Sequence, residues 1–176
     1  MKKLQHLIVQ NAHTITNLYN EVTIAAKNKN QDLKSWQKAS QAFKERYDLL
    51  AFPGGWEQEL ANLKKGNPSA VAAAIVYLRV DPYFFRSGYI KEAIIRALKK
   101  VSLSKKEREE LQDILLESLK HKRRREFREY CRLALQLADD AFVAKVQTLT
   151  KVSEQPAAEN AQAMLAVLKN PISLSK

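Results

Sequence analysis

The sequence predicts an all-α fold, and three observations carry the prediction. Apolar residues recur at spacings of three and four from Pro68 to Lys169, and no alternating strand pattern interrupts them. Only four glycines and five prolines occur in 176 residues, few for an all-β chain, which needs turn residues every eight to twelve positions or so. Apolar residues make up 45% and charged residues 28%, the balance of a globular domain long enough to bury a core without staples.

The elements follow in order. Leu4, Ile8, Ile15, Leu18, Val22 and Ala25 form the stripe of a first helix, with a break expected near Asn11–Thr14. Asn28–Gln31 reads as a loop, and Asp32 as the N-cap of a second helix with Leu33, Trp36, Ala39, Phe43, Tyr47 and Leu50 inward. Pro53-Gly54-Gly55 stops it, because proline lacks a donor and glycine admits positive φ. Trp56–Lys65 is a short helix closed by Gly66. Asn67-Pro68 then opens a helix as cap and first-turn proline. Its body, Ala70–Leu78, is apolar on every side, so Val71, Ile75 and Leu78 should be among the most buried residues.

Asp81-Pro82 breaks that helix, and Ser87-Gly88 leads into the next, which ends near Lys100 with the stripe Tyr89, Ile90, Ala93, Ile94, Ala97, Leu98 and Val101. Ser104 and Glu107 have capping-box spacing, and the helix behind them runs to about Lys120. The stripe Phe127, Tyr130, Cys131, Ala134, Leu137 and Ala138 marks a helix over Arg124–Ala138. Helices over Asp140–Lys151 and from Pro156 to Leu168 complete the chain, and Asn170–Lys176 is expected to fray. The expectation is one domain of eight or nine helices stacked as antiparallel pairs: N-terminal helices over 1–66, a core over 67–152, and a C-terminal helix and tail over 153–176.

Two segments of that core echo one another. Asp81-Pro82 is followed by Gly88-Tyr89-Ile90-Lys91 and then Ile94-Ile95-Arg96-Ala97-Leu98. About 37 residues on, Arg125-Glu126-Phe127-Arg128 leads to Cys131-Arg132-Leu133-Ala134-Leu135. From Asn67 to Val152 the chain resembles a HEAT- or armadillo-like helical-repeat protein. The resemblance implies stacked helix pairs, in a right-handed superhelix or an irregular bundle, and a role in gripping partners. It carries no catalytic residue to transfer. The N-terminal helices show no comparable echo, which leaves a plain helical bundle open.

The formal charge of +11, with a pI near 9.7, attracts anions: nucleic acid, acidic protein surfaces or anionic headgroups. Cys131 is the one cysteine, so no intrachain disulfide forms and the chain does not read as an extracellular scaffold. Gln5, His6 and Gln10 break any signal-peptide core near Met1, and no apolar run approaches the roughly 20 residues that span a bilayer. A soluble, cytoplasmic protein is expected.

The first candidate site is the basic cluster Lys120, Lys122, Arg123, Arg124 and Arg125, with His121 among them, continued by Arg128 and Arg132. On a continuous helix Arg124, Arg128 and Arg132 stand at i, i+4 and i+8, one ladder of guanidiniums along the flank of the buried stripe. Arginines there present planar forks to phosphate or carboxylate. Competing structural readings are the i,i+4 pairs Lys122–Glu126 and Arg125–Glu129, and pairing with the preceding helix, where Glu109 and Asp113 should face solvent and Glu117 alone reaches the edge. A basic inter-helix loop without a role is the third.

The second candidate is the aromatic segment Tyr83, Phe84, Phe85 and Arg86, beside Tyr89. Aromatics next to arginine stack on bases or form binding hot spots, although the favoured reading is a plug between helices. Trp36 and Trp56 read as core anchors. His6 and His13 share a helix side with no cysteine or carboxylate pair to complete a metal site, and Cys131 falls on a buried stripe. No nucleophile–base arrangement, glycine-rich phosphate loop or paired-carboxylate site is present. A DNA glycosylase built on HEAT-like helices would be the sharpest enzymatic version, and nothing marks its site. No metal or cofactor is expected. The sequence reads as a non-catalytic helical-repeat module that binds another protein, the alternative being a nucleic-acid-binding protein that uses the Lys120–Arg132 surface.

Overall fold

Side-chain caps set several helix starts. In a computed structural model, which describes residues 2–170, nine α-helices and no strand occur among the described residues. They are α1 (Lys2–Lys27), α2 (Leu33–Ala51), α3 (Trp56–Lys64), α4 (Pro68–Val80), α5 (Ser87–Leu98), α6 (Lys105–Ser118), α7 (Phe127–Leu137), α8 (Asp140–Leu149) and α9 (Ala157–Lys169). Of the tail expected to fray, all beyond Asn170 lies outside the described residues.

Asp32 accepts the Ser35 amide at 3.0 Å, Asn67 accepts Ser69 at 3.0 Å, and Asp139 accepts Phe142 at 2.8 Å, each satisfying an orphan donor of the helix it opens. The Ser104–Glu107 box closes in both directions. Asp81 ends α4 in the left-handed region, φ 50°, which a short polar side chain tolerates.

The chain divides into two compact units, Met1–Ile90 and Lys91–Lys176, and the division falls inside α5. In the first, α1 packs along α2 and touches α4, and α3 contacts both α2 and α4. Ile8, Ala12, Ile15 and Leu18 of α1 are buried, as are Val71, Ile75 and Leu78 of α4, the helix expected at the centre. In the second unit α6 packs on α7 and α8, and α9 on the same two. Ile94, Leu111, Leu115, Ala134, Val146 and Met164 supply fully buried side chains there. No helix among the described residues is long and apolar enough to cross a membrane.

Four expectations are corrected. The first helix has no break: the Thr14 and Thr16 hydroxyls donate to the carbonyls of Gln10 and Ala12 at 3.0 and 2.9 Å, so the polar middle is absorbed into the helix. The stripe of α2 is mostly half-buried, and Leu33, in its first turn, is exposed. On α5, Tyr89 is exposed, whereas Lys91 is fully buried in the arc between Ile95 and Leu98. Finally, α7 begins at Phe127 and not at Arg124.

Candidate interaction surfaces

The late start of α7 dissolves the expected arginine ladder. Lys120–Arg125 form the connection between α6 and α7, Arg124 precedes the helix, and only Arg128 and Arg132 lie on it. Much of this cluster is held by the protein itself. Lys120 pairs with Glu117 at 2.6 Å. Arg123 donates to the Asn160 side-chain oxygen at 2.7 Å and to the Glu159 carbonyl at 2.9 Å, with its guanidinium 5.1 Å from the Phe127 ring centre. Asn160, itself buried, donates onward to the carbonyls of Leu119 and His121 at 2.9 and 2.8 Å. Arg123 and Asn160 thus fasten the α6–α7 connection to α9. Lys122, Arg124 and Arg128 are exposed.

Arg125 and Arg132 take carboxylates of α5 and α7, and Arg125 pairs with Glu92 rather than with the Glu129 expected from i,i+4 spacing. The Glu117 of α6 reaches Lys120 and, at 3.8 Å, His121. Glu126 is buried against Lys91 at 3.0 Å. Glu92 Oε2, nearly buried, accepts from Arg96 at 3.4 Å and from Arg125 at 3.2 Å. Glu129 Oε1 takes Arg96 at 3.2 Å and Arg132 at 2.6 Å, while its Oε2 takes Lys99 at 2.8 Å. The result is a row, Arg125–Glu92–Arg96–Glu129–Arg132, in which one oxygen atom links each neighbouring pair of guanidiniums. Burial alone would raise the Glu129 carboxyl, but hydrogen bonds from Lys99, Arg132 and Arg96 and the field of Lys99 outweigh it and hold it below the usual carboxylate range. Arg96 and Arg125 remain about half exposed, at 55% and 52%. Arg96 and Lys99 belong to this site and were missed, since on the sequence they sit beside an apolar stripe about 30 residues away from Glu129.

The aromatic segment divides its labour. Phe84 is buried, as a plug would be, and its amide donates to the Ser87 hydroxyl. Phe85 instead turns outward and stacks on Tyr19 of α1, ring centres 4.2 Å apart and 15° from parallel. Phe43 meets Tyr19 and Phe85 at 5.9 Å each, and the Tyr47 hydroxyl donates to the Phe85 carbonyl at 3.0 Å. Burial pushes the Tyr47 phenol up to about 12 against the opposing field of Arg86. Arg86 has φ 67°, rare for a residue with a side chain, and lays its guanidinium 5.5 Å from the Phe85 ring and 6.0 Å from that of Tyr89. Tyr83, two residues before Phe85, and Tyr89, against Arg86, are exposed, 75% and 53% accessible. Tyr19, Phe43 and Tyr47 were not assigned to this aromatic group from the sequence. Trp36 is half-buried under the Lys29 ammonium, 3.9 Å from its ring centre, and Trp56 is half-buried near Phe52.

Among the described residues no group of three or more His, Cys, Asp or Glu gathers as metal ligands do. Cys131 is buried, and burial pushes its thiol up to about 11 against the lowering field of Arg123. Comparison with known proteins gives no matching family model, no matching curated protein and no matching solved structure.

Proposed function

We propose that the chain is a non-catalytic module that binds another protein through the patch formed by Tyr19, Tyr83, Phe85, Arg86 and Tyr89. One observation carries this reading: among the described residues, every exposed large apolar side chain precedes Ile90, and two of them, Phe85 and Tyr89, lie against the Arg86 guanidinium while a third, Tyr19, stacks on Phe85. Aromatics and arginine are the residue types that dominate binding hot spots, because they offer large rigid contact area with a polar handle. Arg86 holds a strained backbone conformation, and strain of this kind gathers where a side chain must be presented. Its charge favours a partner segment that carries a carboxylate beside apolar side chains. The echo between Gly88–Leu98 and Arg125–Leu135 supports a HEAT- or armadillo-like arrangement of helix pairs. A single buried thiol suits a reducing compartment such as the cytoplasm.

Selection of peptides from a displayed library on the purified protein tests the reading. Enriched peptides should combine Asp or Glu with aromatic or aliphatic residues. Binding should drop by about tenfold or more in Tyr83→Ala/Tyr89→Ala, the loss expected for hot-spot residues. Enriched peptides that bind this double variant as tightly as the native protein would place the contact elsewhere and defeat the proposal.

A further inference from the structure

Beyond the aromatic patch, and independently of it, the structure points to a second site: we infer that the Arg125–Arg96–Arg132 row binds the phosphodiester backbone of nucleic acid. The geometry is that of an anion receptor built in advance. Glu92 and Glu129 are closed off from solvent, while the guanidiniums of Arg96 and Arg125 are about half exposed at 55% and 52%, so the carboxylates orient the forks and leave an outer side to solvent. Fixing long side chains before binding removes part of the ordering cost that a flexible basic surface would meet on association. The carboxylates do not cancel the row. Arg96, Lys99, Arg125 and Arg132 converge on Glu92 and Glu129, a local excess of positive charge.

Two features favour nucleic acid over an acidic protein. The cations carrying the exposed side of the row are arginines, whose planar forks match phosphate oxygens in pairs. In addition, no large apolar side chain is exposed among the described residues after Ile90, so this region lacks the apolar centre that protein interfaces are built around. A polar, strongly basic surface is the character of protein–nucleic-acid interfaces.

The test is fluorescence-anisotropy titration of a labelled oligothymidylate and a labelled duplex across a salt series, using the full chain. Native protein should bind at low salt and weaken steeply as salt rises. Arg125→Gln/Arg132→Gln, which leaves Arg96 bridging Glu92 and Glu129, should lose about tenfold or more in affinity and lower the log–log salt slope by about two. Lys105→Gln/Lys106→Gln removes the same charge from the start of α6 and should change affinity by less than about twofold. Arg96→Lys keeps the charge without the fork. It should bind several-fold more weakly at an unchanged melting midpoint, and it decides the question if the double variant melts early. The inference fails if native protein binds neither oligonucleotide at low salt, if both glutamine double variants lose affinity equally, if Arg96→Lys binds as the native chain does, or if polyaspartate of matched charge competes as well as oligonucleotide.

Discussion

The Lys91 ammonium lies 3.0 Å from Glu126 Oε1, with the lysine fully buried and the carboxylate nearly so. A pair so placed owes its stability to mutual compensation, because neither charge can return to water. Removing one partner strands the other. Lys91→Met and Glu126→Leu should each destabilise the protein by about 3–5 kcal/mol, and Lys91→Met/Glu126→Leu should cost less than the sum of the singles. Urea unfolding of the four proteins measures this. Additive costs would mean that the two charges do not depend on each other.

Glu129 ties stability to pH. Its carboxyl is held below the ordinary range, so the native state binds protons less readily than the unfolded chain does. The contribution is therefore complete above the unfolded carboxylate pKa and fades as pH falls through the lower native value. Glu129→Gln should cost about 2–4 kcal/mol near pH 7, since it leaves Arg96, Lys99 and Arg132 facing one another with a neutral amide between them. The gap between the two proteins should narrow in acid. Chemical unfolding at a series of pH values checks the sign, and a gap that widens in acid would reverse the assignment.

Arg86 offers a separation of strain from contact. Arg86→Ala keeps φ near 67° and loses the guanidinium over Phe85 and Tyr89, whereas Arg86→Gly loses the same contacts and relieves the backbone. The glycine variant should exceed the alanine variant by about 1 kcal/mol in thermal or urea unfolding. Both should lose the peptide-binding contribution of the guanidinium.

Cys131 should resist thiol reagents at neutral pH. It is buried, and its thiol is displaced to about 11, so both access and thiolate are scarce. Modification by a disulfide reagent should track unfolding in urea, and rapid stoichiometric labelling of native protein would contradict the buried placement.

Local chemistry was legible in the sequence and distant chemistry was not. Asp32, Asn67 and Ser104 cap helices within a few residues of themselves, so their roles can be read from spacing alone. The apolar run of α4 likewise announced its own burial. No local spacing points to the roles of Lys91 and Asn160, because their partners, Glu126 and Arg123, lie about 35 residues away in the chain. The cap of α3 shows the same limit. Gly55 has no side chain to offer, and the Glu57 amide is instead satisfied at 3.1 Å by Asp48, from α2. For the candidate sites, the spacing of Arg124, Arg128 and Arg132 suggested a ladder only on the assumption of a continuous helix. The true row borrows Arg96 from α5, which no local pattern could indicate.

Asn160 also governs how the chain meets proteases. Lys120, Lys122, Arg123, Arg124 and Arg125 are five trypsin sites within six residues, the densest run in the molecule. A protease must draw such a segment out into its cleft before cutting it, and this one is anchored at Leu119, His121 and Arg123 by a single buried amide. The segment richest in cleavage sites is thus guarded by the side chain of a residue that trypsin does not recognise.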